Sequence, residues 1–217
     1  MKITEDYYLE PAELDKLLKA AEPNPRNYLM IALQYDLGCR SGELRQLRVK
    51  DIDLERGVAH IGRNQAERTV GLSKEDALKA WPKARAKRGQ RRSVVGLMIP
   101  NIGVLLKSHI DASLLKPNDL LFPGRHGPMT LVQHNNIIDK YAELAGIQKE
   151  LPTPSGRKKV TSHRLRHTHI MRATHPQNGD AVRLEDVGAQ VGDQLPSLQP
   201  YLNPTPDDIR RGYGRKA

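Results

Sequence analysis

Apolar residues recur at helical spacing through most of the chain. In "EPAELDKLLKAAE", residues 10–22, they fall every three to four positions behind an early proline, which predicts an opening amphipathic helix. "NPRNYLMIALQYDLGCRSGELRQL" follows, and its apolar run predicts a second helix from about Tyr28 to Leu37. Gly38-Cys39 breaks that helix, and "SGELRQL" restarts one with Ser41 as the expected N-cap. The period changes to two in "VKDIDLERGVAHIGRN", residues 49–64, with a turn at Arg56-Gly57, so short antiparallel strands are expected there. "RRSVVGLMIP" returns to strand character and is expected to join the same small sheet. "NIGVLLKSHIDASLL", "VQHNNIIDKYAELAG" and "HRLRHTHIMRATH" read as helices, the second with Gly146 at its C-terminal cap. "NDLLFPGRHGPMTL" reads as loop, "IQKELPTPSGRKKVTS" as an exposed linker ending in a basic turn, and the chain from Pro196 onward as a polar, proline-rich tail. The pattern is a mainly α fold with a small antiparallel β-sheet, an α+β domain.

Composition narrows this picture further. A chain of 217 residues fits one domain spanning 1–217. Its one cysteine, Cys39, cannot form an intrachain disulfide. No apolar run approaches the length of a membrane span, and the opening residues are polar and acidic, so neither a membrane segment nor a signal peptide is expected. The expected location is the cytoplasm, in association with the nucleoid. Thirty-five Lys and Arg against 25 Asp and Glu give a net charge of +10, which favours a polyanionic partner. Residues 63–92 carry ten Lys or Arg against three acids and read as a basic insertion within the sheet region.

The chemistry concentrates in "TSHRLRHTHIMRA", residues 161–173, with three histidines and three arginines. His163 and His167 stand four apart and could share a helix face toward zinc. The intervening "RLR" lacks the glutamate of a zinc-protease motif, and its two cations would repel a metal. The bland alternative is a solvated basic face. An anion clamp gains support from "GCRSGELRQL", where Arg40 stands at a helix break near free backbone N–H groups and Glu43 can orient its guanidinium. Arg40 and Arg166 could then grip one phosphate, because a planar fork pairs two oxygens at once. Tyr201, in "LQPYLNPTPDDIRRGY", could attack phosphorus through its oxygen, although most tyrosines are structural.

"LGCRSGELRQL", "HRLRH" and "YLNPTPDDIRR" occur in an order and spacing that resemble the tyrosine recombinases, the phage integrase family. The resemblance runs from about Leu9 to Arg211. It implies a mostly helical catalytic domain with a small antiparallel sheet. It implies that Tyr201 is the nucleophile on a DNA phosphate, giving a 3′-phosphotyrosyl link and a free 5′-hydroxyl. Arg40 and Arg166 would neutralise the nonbridging oxygens, and His163 would hydrogen-bond the phosphate or assist proton transfer. A lysine in the sheet turn would protonate the leaving 5′-oxygen; Lys87 is the first choice and Lys83 the second. Lys83, Arg85, Arg88, Arg91 and Arg92 would contact double-stranded DNA. The resemblance implies no cofactor, no metal and a synaptic tetramer on DNA.

Two features, Asp193 and the start of the chain, depart from the family pattern. Asp193 in "QVGDQLPSLQPY" stands where the family has a histidine or tryptophan. An ionised aspartate only accepts hydrogen bonds and would repel a phosphate, so it is expected to point away, to yield its role, or to lower activity. Tyr213 is a rival nucleophile in a glycine-flanked setting. "YLEPAELDKLL" at the start is similar to the start of the catalytic domain, so the family's N-terminal core-binding domain is expected to be absent. A binding-only relative and a type IB topoisomerase-like enzyme are the competing functions. An RNA-binding protein would need stacking aromatics, and the nine Phe, Trp and Tyr are not clustered.

Overall fold

The computed structural model describes residues 8–61, 92–95, 99, 101–125, 127–150, 159–175 and 181–202. Helix α1 (Pro11–Ala21) starts at a proline, whose missing N–H costs nothing in a first turn, and the Glu13 carboxylate accepts the Glu10 N–H at 3.0 Å. It buries Leu14, Leu17 and Ala21. Helix α2 (Pro25–Leu37) begins earlier than its apolar run predicts, because the Asn24 side chain accepts from the Asn27 N–H and Pro25 opens the first turn. Residues 29–37 of α2 are all buried. A helix buried on every side is the centre of its fold, and α1 and two later helices pack around this one.

Gly38 ends α2 with φ +57°, and a Cβ there would lie 2.4 Å from the His169 ring. Only glycine meets both demands. Helix α3 (Ser41–Leu44) is four residues long, and its N-cap is Arg40. Ser41 is therefore the first helical residue and not the cap.

Strands β1 (Ile52–Asp53), β2 (Val58–Ile61) and β3 (Arg92–Val95) form one antiparallel sheet in that order. Ile52 pairs with Ala59, and Ala59 with Val94. Ala59, Ile61 and Val94 are buried, so alternation gives the sheet one core face. The expectation of one small sheet holds. The basic insertion lies, apart from Arg92, outside the described residues.

Helix α4 (Ile102–Ala112) packs on α2 through buried Ile102 and Leu106. The expected loop that follows contains a two-residue ladder, β4 (Pro123–Gly124) with β5 (Gly127–Pro128). Thr130 caps helix α5 (Leu131–Leu144): its hydroxyl accepts from the Gln133 N–H, and the Gln133 side chain accepts from the Thr130 N–H. The cap residue of α5 is Ala145, and Gly146 follows with φ +67°. The linker read as exposed is anchored at its far end. Lys159 and Val160 are buried, Lys159 pairs with Glu13, and Gln148 accepts the Val160 N–H at 2.9 Å.

Helix α6 (Ser162–Thr174) lies against α2. Helix α7 (Leu184–Val191) has no counterpart in the sequence reading. Two helical turns, α8 (Leu195–Leu198) and a 3₁₀ turn (Gln199–Leu202), replace the start of the expected tail. Pro196 falls in the first turn of α8, where its missing N–H is harmless. Two hydrophobic clusters result. The larger gathers α1, α2, α5 and the sheet; the smaller holds Ile170, Ala173, Val187, Val191, Leu198 and Tyr201.

Candidate active site

Arg40 stands where the left-handed Gly38 turns the chain from α2 into α3. Its backbone N–H donates to Glu43 Oε2 at 2.7 Å, and its Nη1 lies 3.5 Å from Glu43 Oε1. Glu43 is buried and holds the guanidinium from behind, as the spacing predicts. The expected anion affinity of a helix N-terminus is weak here, because α3 is one turn long.

Arg166 lies on α6 and is 2% exposed. Its Nη1 donates to Gly38 O at 2.7 Å and to Val191 O at 2.8 Å. Two backbone carbonyls thus fix the plane of the fork, and Nη2 donates to Asp193 Oδ2. Burial pulls the Arg166 guanidinium below the ordinary arginine range, and the Asp193 carboxylate pushes it back up. His163 sits one turn earlier on α6. Together with Arg40, Ser41, Arg45, Asn135 and Arg166 it lines a cleft of about 430 Å³.

Asp193 does not point away. Gly192 ends α7 with φ +70°, and the Asp193 N–H donates to Gly188 O at 3.1 Å. The side chain then turns inward. Oδ1 accepts from Arg40 Nη2, and Oδ2 accepts from Arg166 Nη2. Arg40 and Arg166, which the sequence suggests could grip one phosphate, both engage the protein's own carboxylate. Two adjacent cations attract the carboxylate, and this turns it inward.

Tyr201 is 6% exposed, so it is no surface aromatic. Its hydroxyl hydrogen-bonds His167 Nδ1, with the rings 5.5 Å apart. The His167 ring meets His163 edge-on at 4.3 Å. Burial, then the neighbouring His163, Arg164 and Arg166, lowers His167 to about 3. Burial first, then Arg166 and Arg164, also lowers His163. At neutral pH His167 is uncharged, and with its proton on Nε2 its Nδ1 accepts from the tyrosine. In the sequence alone, His167 reads only as a zinc partner of His163. Among the described residues no three His, Cys, Asp or Glu could hold a metal ion. The histidine spacing in "HRLRH" was the available signal, but the tyrosine it serves lies 34 residues on.

The structure brings together Arg40, Glu43, His163, Arg166, Asp193 and Tyr201. Lys83, Arg85, Lys87, Arg88, Arg91 and Tyr213 lie outside the described residues. Arg92 opens β3, paired with Ile61, and its side chain lies outside the description.

The fold is that of tyrosine recombinase catalytic domains. The chain belongs to the phage integrase family, whose pattern matches residues 7–176. Arg40, His163 and Arg166 fall inside that match, and Asp193 and Tyr201 beyond it. A tyrosine recombinase of Pseudothermotoga lettingae is 29% identical over 170 residues, 77% of this chain and 46% of that protein. The tyrosine recombinase XerD of Yersinia pestis is 32% identical over 174 residues, 75% of this chain and 48% of that one. The XerH site-specific recombinase, solved bound to difH substrate in a pre-cleavage complex, is similar with a TM-score of 0.66 at 23% identity, covering 98% of this chain and 55% of that one. The chain spans about half the length of the curated relatives it matches. Among the described residues no helix is long and apolar enough to cross a membrane.

Proposed function

We propose that this chain is the catalytic part of a site-specific DNA recombinase that cuts and rejoins strands through a 3′-phosphotyrosyl intermediate. The observation that carries this reading is the convergence of Arg40 and Arg166 on one anion, with His163, His167 and Tyr201 in contact order beside it. A DNA phosphate in the place of the carboxylate would put one nonbridging oxygen on each guanidinium. The Tyr201 oxygen attacks phosphorus, the bond to the 5′-oxygen breaks, and the tyrosine proton passes to His167 Nδ1. His163 faces the same cleft and hydrogen-bonds the phosphate. The leaving 5′-oxygen takes its proton from the lysine of the basic stretch, Lys87 by the sequence reading. Fixed cations stabilise the charge of the transition state, and removing one such donor typically costs on the order of 100- to 1000-fold in rate.

The phosphotyrosyl ester conserves the energy of the broken bond, so a 5′-hydroxyl from another strand reverses the step without nucleotide hydrolysis. The partners are double-stranded DNA and further copies of the chain in a synaptic tetramer, and the place of work is the nucleoid in the cytoplasm. The net charge of +10 and the basic run at 63–92 support the DNA partner, since each phosphate contact releases counterions. Residues 1–217 act as one catalytic unit, with Lys83, Arg85, Arg88, Arg91 and Arg92 on the DNA backbone.

Covalent trapping tests the reading. The protein is incubated with nicked duplexes from its own genetic neighbourhood and resolved on a denaturing gel. Wild type is expected to give an adduct that Tyr201→Phe abolishes. Intact DNA binding without an adduct would favour the binding-only reading. Relaxation of plasmid lacking any special site would favour the topoisomerase-like one.

A further inference from the structure

Asp193 is the residue the mechanism does not use, yet it occupies the centre of the site. We infer that Asp193 is an internal competitor for the DNA phosphate, a carboxylate that fills the two-arginine clamp until a phosphate held in a duplex displaces it. The inference rests on the reading of Arg40 and Arg166 as a phosphate clamp.

Three observations support it. The first is geometric. The carboxylate divides its oxygens between the two guanidiniums, one to each Nη2, as the nonbridging oxygens of a phosphodiester would be divided. The second is charge. Arg40 and Arg166 are balanced by Asp193 and Glu43, so the four groups are neutral together. A phosphodiester entering beside a retained Asp193 would place an unbalanced negative charge in a mostly buried site, which is costly. The third is freedom of movement. Arg166 is held by the carbonyls of Gly38 and Val191, and Arg40 by Glu43. Among the described residues, the hydrogen bonds of Asp193 are its backbone bond to Gly188 and those to the two arginines, and its side chain is 20% exposed. The carboxylate can rotate toward solvent while the guanidiniums stay in place.

The consequence is selectivity. A free phosphate or nucleotide must compete with a tethered carboxylate at high effective concentration, and it brings few other contacts to do so. A duplex brings many phosphate contacts along its backbone and can drive the exchange. Asp193 therefore sets the clamp against small anions and in favour of DNA.

The test compares the full-length protein with Asp193→Asn and Asp193→Ser. Thermal unfolding is followed across inorganic phosphate concentrations, and duplex binding is followed by fluorescence anisotropy at fixed salt. Glu185→Gln, an exposed carboxylate on α7, controls for the change in net charge. Both Asp193 variants are expected to gain stability from millimolar phosphate that leaves wild type unmoved. They are expected to bind DNA at least tenfold more tightly than wild type, with Glu185→Gln changing by less than threefold. Adding Arg40→Ala to Asp193→Asn should remove both gains. Phosphate acting alike on wild type and variants, or DNA affinity no greater than in Glu185→Gln, would overturn the competitor role and leave the clamp standing. No effect of phosphate on any variant, with Arg40→Ala also leaving DNA binding unchanged, would overturn the clamp as well. If the variants unfold in plain buffer, recovery of folding in phosphate supports the inference, and failure to recover in phosphate overturns it.

Discussion

Two packings of different size hold the candidate site. Arg40 and Glu43 stand on the larger cluster, in which buried α2 is covered by α1, α4 and α6. Asp193 and Tyr201 stand on the smaller cluster of six residues from α6, α7 and the final turns. The cation half is built on a deep core, and the nucleophile half on a shallow one. Stability within a fold is uneven, and segments with few buried apolar contacts open most easily. The difference suits the proposed reaction, in which the cations must be preorganised while the tyrosine reaches phosphorus. Arg166 joins the two halves, because its Nη1 donates both to Gly38 at the end of α2 and to Val191 at the end of α7.

Breaking that joint should have the largest effect. Arg166→Ala leaves Asp193 facing a single arginine and orphans two carbonyls. It is expected to cost about 3–5 kcal/mol, read by urea unfolding, and to eliminate adduct formation. Next is Leu198→Ala, which empties a fully buried position of the small cluster. It is expected to cost about 2–5 kcal/mol, with amide-exchange protection lost over residues 184–202 before α2. Equal loss in α2 would show that the two packings form one cooperative unit.

Acidification comes third. Burial holds His134 at about 4, His167 at about 3 and His169 at about 4 in the folded chain. Each returns to near 6.5 on unfolding, so the unfolded state binds more protons between those values. The contribution of these histidines is complete above about pH 6.5 and is lost as the pH falls through about 4 for His134 and His169 and about 3 for His167. The urea midpoint should decline over that window, and His169→Asn should flatten the decline. Glu43→Gln should have the smallest effect. It keeps an acceptor for the Arg40 N–H but removes the charge behind the guanidinium, and about 1 kcal/mol of stability should go with it, together with roughly tenfold in adduct rate.

The contrast between the halves also explains what was legible. The α2 helix is a long apolar run ended by Gly38, so pattern alone locates all but the first turn, which the Asn24-Pro25 cap adds. Arg40 and Glu43 directly follow α2 and His163 and Arg166 lie on α6, and their motifs survive as short strings. The smaller half leaves weaker traces. Helix α7 is eight residues long and buries only Val187, Gly188 and Val191, too few to establish a period. Pro196 and Pro200 signal an irregular tail, yet prolines are tolerated in the short first turns they occupy here. The inward turn of Asp193 depends on two arginines brought from 153 and 27 residues away, and no local pattern encodes that encounter. The same holds for His167, whose partner is chosen by the fold.

The most direct measurement is the identity of the residue that carries the DNA. The trapped adduct would be digested with nuclease and protease and the modified peptide sequenced by mass spectrometry. The account predicts a nucleotide joined through its 3′-phosphate to Tyr201. A nucleotide on Tyr213, or on a serine of the cleft such as Ser41, would contradict it.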